Sequence, residues 1–385
     1  MFPNHHKKLK IAIISDTYHP QKNGVVVFLD NIISKLKNRN QIVVIAPGNN
    51  EKIQLKDGVK IRWVPSVPFP FYEGYRISRI GPKKLRDILE EEKPDVIHCH
   101  APVLLGVLAL MIAKDLRIPS IATYHTHFED YFPHLLKGYF QNILKSIGSI
   151  TSKKLVKRFY SKADVITAPS SEYVEMLKQY GLKNVKLLEN GINLARFSTN
   201  AKDISGYYGI PDGKKIALYL GRISFEKKIE LLINSFKGSE FVLVIVGSGP
   251  YLKKYMKFAS GLKNIIFTGF VDAKNLSYIY KSANIFVSAS DSEVMPISFI
   301  EAMACGLPIV CPRSRGTVDL VKDNKNGLLF EAGNYMDLSK KVKELLSDNK
   351  KMIRMSVQAK KMARKFSIDN CYKKTLEIYR GLLDG

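Results

Sequence analysis

A chain of 385 residues exceeds what one hydrophobic core ordinarily organises, so two domains are expected. Hydrophobic residues make up 45% of it and no low-complexity tract interrupts it, which excludes a disordered or fibrous protein. The formal net charge of +25 draws polyanions (nucleic acid, an anionic lipid surface or a nucleotide) without choosing among them.

The four cysteines, Cys99, Cys305, Cys311 and Cys371, are scattered mostly through apolar runs, as reduced, buried thiols of a cytosolic protein are. The first ten residues are polar and basic and a strand follows directly, so no secretory leader is expected. The longest apolar run, Ala101 to Ala113, falls short of the ~20 residues of a bilayer span. It is expected to form a buried helix.

Strands are expected over Lys10–Asp16, Gln41–Ala46, Val59–Val64, Asp95–His100, Ser120–Tyr124 and Asp164–Ala168, each short, β-branched and bounded by turns. This series ends around Asn190-Gly191-Ile192-Asn193. After a polar stretch, Ser198 to Asp212, a second series follows: Lys215–Leu220, Phe241–Val246, Ile265–Thr268, Ile285–Ser288, Pro308–Cys311 and Gly327–Phe330. Alternating strand and helix predicts parallel sheets covered on both faces. Two such series predict an α/β protein of two Rossmann-like domains facing across a cleft, with the first over residues 1–195 and the second over 196–366. The last helices, from about Tyr335 to Leu383, carry no further strand.

The loops after the strands hold the chemistry, because ligands of open parallel sheets bind beyond the carboxyl ends of the strands. Asp16-Thr17-Tyr18-His19-Pro20-Gln21-Lys22-Asn23-Gly24 follows the first strand, and Gly24 opens a helix where its N–H can approach a phosphate with no Cβ in the way. His98-Cys99-His100 suggests a metal site, but alternate residues of a strand point to opposite faces and no second cluster completes one. Thr123 to Tyr131 crowds His125, His127, Glu129 and Asp130 into one loop. Gly221-Arg222-Ile223-Ser224-Phe225-Glu226-Lys227 opens the second series: Arg222 offers a planar fork for a diphosphate and Lys227 a compact charge.

Farther on, Glu293 and Glu301 stand eight positions apart. Pro296 suits the first helical position, which leaves Glu293 in the loop before the helix and Glu301 in its body. Gly306-Leu307-Pro308 ends the helix. Such a pair suits a polyhydroxylated ligand held beside a phosphate on a helix N-terminus. Gly247-Ser248-Gly249 lacks the third glycine of a dinucleotide fingerprint, and neither a Walker A nor a D-x-D string occurs.

The run from Glu293 to Pro308 resembles the E-x7-E motif and the following E-A-M-A-x-G-x-P of retaining glycosyltransferases of family 4, and Gly221 to Lys227 resembles their G-R-x3-E-K string. The resemblance covers nearly the whole chain. It implies the GT-B fold, with residues 367–385 crossing back onto the N-terminal domain. It implies that Gly24 faces the donor diphosphate, His125 touches the transferred sugar, Glu293 binds sugar hydroxyls and Glu301 the ribose. Arg222 and Lys227 then neutralise the leaving UDP, with no metal and no cofactor required. Many members carry glycine where Pro296 stands; proline cannot donate, so Ile297 and Ser298 are expected to supply the amides. In the family's mechanism the acceptor hydroxyl attacks from the face that UDP leaves, and configuration is retained.

The loops Asp16 to Val25 and Thr123 to Tyr131 resemble the diacylglycerol glucosyltransferase branch, with the phosphatidylinositol mannosyltransferases more distant. That implies transfer of a hexose, glucose, from a UDP-sugar to a membrane glycerolipid by a peripheral protein on the inner face of the cell membrane. Two segments fit an anionic membrane surface: the aromatic stretch Arg62 to Arg76, which holds the only tryptophan, and an amphipathic helix over Leu135 to Ile147 followed by Lys153, Lys154, Lys157 and Arg158. A soluble sugar or polysaccharide acceptor is the alternative within the same chemistry. A non-enzymatic nucleic-acid-binding protein is the alternative outside it, though no zinc, RNP-like or helix-turn-helix signature is present.

Overall fold

The computed structural model of the chain describes residues 8–21, 23–69, 75–125, 153–198, 206–211 and 213–384. They divide into two units, Met1–Gly191 with Ile368–Gly385, and Ile192–Ser367.

Nine strands of the described residues form the sheet of the first unit. They are β1 (Lys10–Ser15), β2 (Gln41–Gly48), β3 (Lys52–Lys56), β4 (Val59–Pro68), β5 (Arg76–Ser78), β6 (Val96–His100), β7 (Ser120–Thr123), β8 (Val165–Ala168) and β9 (Val185–Leu187). Their order is β3-β4-β2-β1-β6-β7-β8-β9, with β5 paired to β4. The pairs from β4 through β2 and β1 to β9 are parallel. The central strands are buried on both faces, which their Ile- and Val-rich sequences require.

The second unit holds β10 (Ile216–Leu220), β11 (Val242–Val246), β12 (Ile265–Gly269), β13 (Ile285–Val287), β14 (Ile309–Pro312) and β15 (Gly327–Phe330), all parallel, in the order β12-β11-β10-β13-β14-β15. That is the 3-2-1-4-5-6 order of a dinucleotide-fold sheet. In each sheet the winding reverses beside the first strand, between β1 and β6 and between β10 and β13. Both units are Rossmann-like, as the alternation predicts.

Three strands escape the sequence reading. β3 and β9 lie at edges with mostly exposed side chains, and β5 spans three residues. β3 and β4 form an antiparallel hairpin whose two-residue turn, Asp57-Gly58, has positive φ at both positions (51° and 78°). This is a favoured hairpin turn, and the dipeptide is its signal in the sequence.

Within the aromatic stretch Arg62 and Trp63 belong to β4, which includes the strand expected over Val59–Val64 and runs on to Pro68. Trp63 packs 5.9 Å from Tyr18 and donates its indole N–H to Gln54 at 3.1 Å. Arg76 donates to the Ser66 hydroxyl and carbonyl at 2.8 and 2.9 Å. Residues 70–74 of that stretch, and the helix expected over Leu135 to Ile147, lie outside the described residues. The helix Leu105–Asp115 occupies the apolar run but is only partly buried, with Leu104 and Met111 exposed. No helix of the described residues is long and apolar enough to cross a membrane. Cys99, Cys311 and Cys371 are free and buried, and Cys305 is free and half-buried.

The terminal helix Ile368–Leu383 packs on the first unit. Lys35 pairs with Asp369 at 2.7 Å, Lys374 pairs with Glu189, and the Tyr379 hydroxyl meets His98 Nδ1 at 2.8 Å.

Beneath β4 and β1, the buried Glu92 carboxylate collects Lys60 at 2.5 Å, Lys10 at 3.0 Å and Arg62 at 2.5 Å, and Arg62 also reaches Glu91. Burial works to raise the Glu92 pKa, but the three cations prevail and hold it at about 2. A carboxyl depressed in the folded state adds stability above its ordinary value of 4.5 and loses it as pH falls towards about 2. Glu92→Gln should therefore cost about 3 kcal/mol near neutrality and flatten the acid limb of stability against pH. Urea midpoints measured across that range check this; parallel acid limbs in parent and variant would reject it.

Candidate active site

In the first unit the loop after β1 is built around Asp16. Its buried carboxylate accepts four backbone N–H groups at the start of the helix Leu105–Asp115: Val103 at 2.9 Å, Leu104 at 3.2 Å, Leu105 at 2.9 Å and Gly106 at 3.0 Å. Burial nevertheless raises its pKa, against those four hydrogen bonds. A Cβ at Gly106 would lie 2.7 Å from Pro102 and 3.2 Å from the carboxylate, so glycine permits the approach. Asp16 thus ties the loops after β1 and β6 together at the point where the winding reverses.

Gly24 opens the helix Gly24–Leu36, with Asn23 as its N-cap accepting from Val26 N at 3.1 Å. A Cβ at Gly24 would meet open space, so nothing in the fold demands glycine there. One turn later Phe28 lies 4.9 Å from the His125 ring and 5.6 Å from that of His100. His125 follows β7 and stands at the head of a histidine stack: its Nε2 is 3.0 Å from His100 Nδ1, and the His98 and His100 rings are 4.0 Å apart. His98 and His100 therefore share a face, while Cys99 turns away towards the Gly106 carbonyl. His125 joins this face from the loop after the next strand, and among the described residues no group of His, Cys, Asp or Glu is arranged to hold a metal ion. His98 Nε2 lies 2.6 Å from Thr123 Oγ1, which lies 2.6 Å from Thr167 Oγ1. Burial pulls the pKa of His125 and of His98 down to about 3, and that of His100 well below the usual range, so the stack is neutral. His127 lies outside the described residues.

In the second unit the Gly221–Lys227 loop leaves β10 and the loop bearing Glu293 leaves β13, the two strands at the reversal. They are bound by two ion pairs, Lys227 to Glu293 at 2.7 Å and Lys228 to Asp291 at 2.5 Å. Burial opposes the Lys227 ammonium, but Glu293, followed by Tyr219 and Glu226, holds its pKa above the ordinary lysine range. The Tyr219 hydroxyl donates to the Arg222 carbonyl at 2.9 Å. From the other side the β11 loop braces this segment: Ile223 N donates to the Ser248 carbonyl at 2.9 Å, and a Cβ on Gly247 (φ 137°) would lie 1.9 Å from the Gly221 oxygen. Gly247 is thus needed for packing one loop against another.

Pro296 differs from expectation. It is the N-cap, with φ −69° and ψ 120°, and the helix Ile297–Ala304 begins one residue later. Its carbonyl accepts the Phe299 N–H at 3.1 Å, which leaves the Ile297 and Ser298 amides as the first of the helix. Ile297 is buried and Ser298 half-buried. Glu301 lies in the body of this helix and is buried. It accepts from the Tyr280 hydroxyl at 2.8 Å, and burial pushes its carboxyl up to about 7, opposed by Tyr280 and by the charge of Arg196. Tyr280, Lys228 and Tyr219 are supporting residues that no motif reveals.

The family described as Glycosyltransferase Family 4 matches residues 22–196, and that described as Glycosyl transferases group 1 matches residues 200–362. The chain is 31% identical over 337 residues to the alpha-monoglucosyldiacylglycerol synthase of Streptococcus pneumoniae, covering 84% of this chain and 75% of that one. The chain belongs to glycosyltransferase family 4. This glycosyltransferase is also 28% identical to a GDP-mannose-dependent alpha-mannosyltransferase of Corynebacterium glutamicum, over 92% of this chain and 84% of that one. The structure of Anabaena HepE in complex with UDP-glucose superposes with a TM-score of 0.75 at 16% identity, covering 97% of this chain and 100% of that one, a likeness of GT-B fold. The nucleic-acid-binding alternative gives way to an enzyme.

The Glu293 loop of this glycosyltransferase is held from behind by Gly316, where a Cβ would lie 1.8 Å from the Glu293 carbonyl oxygen. The capping box of Ser314 and Thr317 fixes the start of the short helix Arg315–Val318, which carries Gly316. Gly316→Ala should therefore cost about 1–3 kcal/mol through overpacking and displace Glu293. Urea denaturation and transfer activity measure the two effects, and a variant with parental values in both would show that the loop is not held there.

Proposed function

We propose that the protein transfers glucose from UDP-glucose to a membrane glycerolipid such as diacylglycerol, with retention and without a metal. The observation that carries this reading is the Lys227–Glu293 pair at the reversal of the second sheet, on the loop that also carries Arg222. A diphosphate competes with the single Glu293 carboxylate for Lys227, and a freed Glu293 can accept from sugar hydroxyls. Arg222 and Lys227 then face the charge that grows on the leaving UDP, where fixed cations are most effective. In the second unit the Ile297 and Ser298 amides take the diphosphate and Glu301 takes the ribose, and in the first unit the Gly24 N–H is offered to a phosphate. The neutral His125 can hydrogen-bond a sugar hydroxyl without opposing the positive charge that develops at the anomeric carbon. No side chain need act as base, because the departing phosphate oxygen takes the proton of the acceptor hydroxyl.

The lipid acceptor is supported by the similarity to the alpha-monoglucosyldiacylglycerol synthase of Streptococcus pneumoniae. The exposed Lys153, Lys154, Lys157 and Arg158, on helical residues 153–160, suit docking of the first unit on an anionic membrane at the inner face of the cell membrane.

Purified protein given UDP-glucose, UDP-galactose or GDP-mannose with diacylglycerol vesicles should form glucosyldiacylglycerol from the first alone, read by product mass. A mannosylated lipid formed instead would replace the donor assigned here, and a product only on added oligosaccharide would replace the acceptor. Arg222→Ala and Lys227→Ala should each lower turnover by about 10²–10³ with unchanged circular dichroism. Activity near the parent level in either would remove its assigned role.

Glu301 accepts ribose hydroxyls more strongly as the carboxylate than as the neutral acid, so UDP affinity should fall as pH drops through about 7. The Tyr280 hydrogen bond lowers that pKa, so Tyr280→Phe should move the fall to higher pH. Calorimetric titration of both proteins with UDP across the range cancels the nucleotide's own titration; superimposable profiles would dissociate Glu301 from the nucleotide.

A further inference from the structure

The helix Asn349–Ala363 buries Met355, Ala359 and Ala363 against the second unit. On its opposite face Ile353 and Val357 are 63% and 60% exposed, a high value for aliphatic side chains one helical turn apart. Lys350, Arg354, Lys361 and, at the C-cap, Arg364 are exposed with them. At 3.6 residues per turn all six project from one stripe about 100° wide, with the two aliphatics among the four cations.

The neighbouring charges leave this stripe positive. No acidic residue occurs from Asn349 to Ile368. Glu344, on the preceding helix Tyr335–Ser347, pairs with Lys351, and Asp348 caps the helix by accepting Lys351 N at 2.9 Å. Lys360 lies against Gly306. Among the described residues no carboxylate pairs with Lys350, Arg354, Lys361 or Arg364.

We propose that this stripe is a docking surface for an anionic lipid bilayer, with the four cations on headgroup phosphates and Ile353 and Val357 entering the boundary between headgroups and acyl chains. A nucleic acid or an acidic protein surface satisfies the cations but leaves the aliphatics in water, whereas a bilayer satisfies both. The contact lies on the second unit and is separate from the one proposed for Lys153 to Arg158 on the first.

The test uses the full chain and flotation with phosphatidylglycerol–phosphatidylcholine vesicles. The combined variant Lys350→Ser, Arg354→Ser, Lys361→Ser, Arg364→Ser should bind these vesicles at least about tenfold more weakly, with an unchanged thermal midpoint. Ile353→Ser with Val357→Ser should also lose severalfold on vesicles while its retention on heparin, a polyanion with no apolar phase, stays the same. Parental vesicle binding by either variant would overturn the proposal, as would an equal loss of the aliphatic variant on heparin. A parallel variant with Lys153, Lys154, Lys157 and Arg158 changed to Ser separates the two surfaces. Loss there, with the helix variants unaffected, would overturn this stripe and leave the first-unit reading standing.

Discussion

In each sheet the winding reverses beside the first strand, and the polar chemistry of the protein gathers where that reversal parts the loops. Loops leaving β1 and β6 head to opposite edges of the first sheet, and those leaving β10 and β13 do the same in the second. The parted backbone exposes helix amides that need acceptors. In the first unit Asp16 answers with one buried carboxylate shared among four amides. In the second the loops are tied through side chains, by Lys227 to Glu293 and Lys228 to Asp291. The two solutions differ in what they leave available. Asp16 is saturated by backbone and supports its neighbours, whereas the Lys227–Glu293 pair can exchange partners with an incoming ligand.

The strands were legible wherever burial on both faces wrote a continuous apolar run, as in Ile11 to Ile14 or Val242 to Val246. Edge strands carry no such run. The side chains of β3 are mostly exposed, and only the turn dipeptide Asp57-Gly58 marks it. The site residues on motifs were legible for a different reason: Arg222, Lys227, Glu293 and Glu301 lie close in sequence to the glycines and prolines that shape their loops. What supports them was not, because each support acts across a long stretch of chain. Tyr280 reaches Glu301 from a separate helix, and Gly316 underpins Glu293 from beyond β14. Nothing local distinguishes that tyrosine or that glycine from many others. Pro296 shows the limit of local rules: proline is compatible with both the cap and the first turn, and the backbone ψ of 120° decides for the cap.

The histidines make the same point about periodicity. Two residues apart on β6, His98 and His100 must share a face, and the parallel neighbour β7 delivers His125 onto it through the register of His100 with Thr123. Three imidazoles can stack there only if they stay neutral, and burial ensures that they do. The stack also reaches the chain's end, since Tyr379 on the terminal helix bonds His98. The helix that closes the first unit is therefore part of what orients its site.

The charge excess of +25 reads differently once its members are placed. Lys10, Lys60 and Arg62 are spent on Glu92 and Glu91 inside the first unit, and Lys227 and Lys228 on carboxylates at the reversal of the second. A few fixed cations suffice for a diphosphate, so the donor does not account for the excess. Part of the remainder lies on exposed helical faces, at Lys153 to Arg158 and along Lys350 to Arg364, where it adds little to the fold. Like charges gathered on a solvated helix face repel one another, and an opposing negative surface is what turns that repulsion into attraction. The interleaved Ile353 and Val357 narrow the kind of surface further, because aliphatic side chains left in water stabilise nothing until an apolar phase covers them.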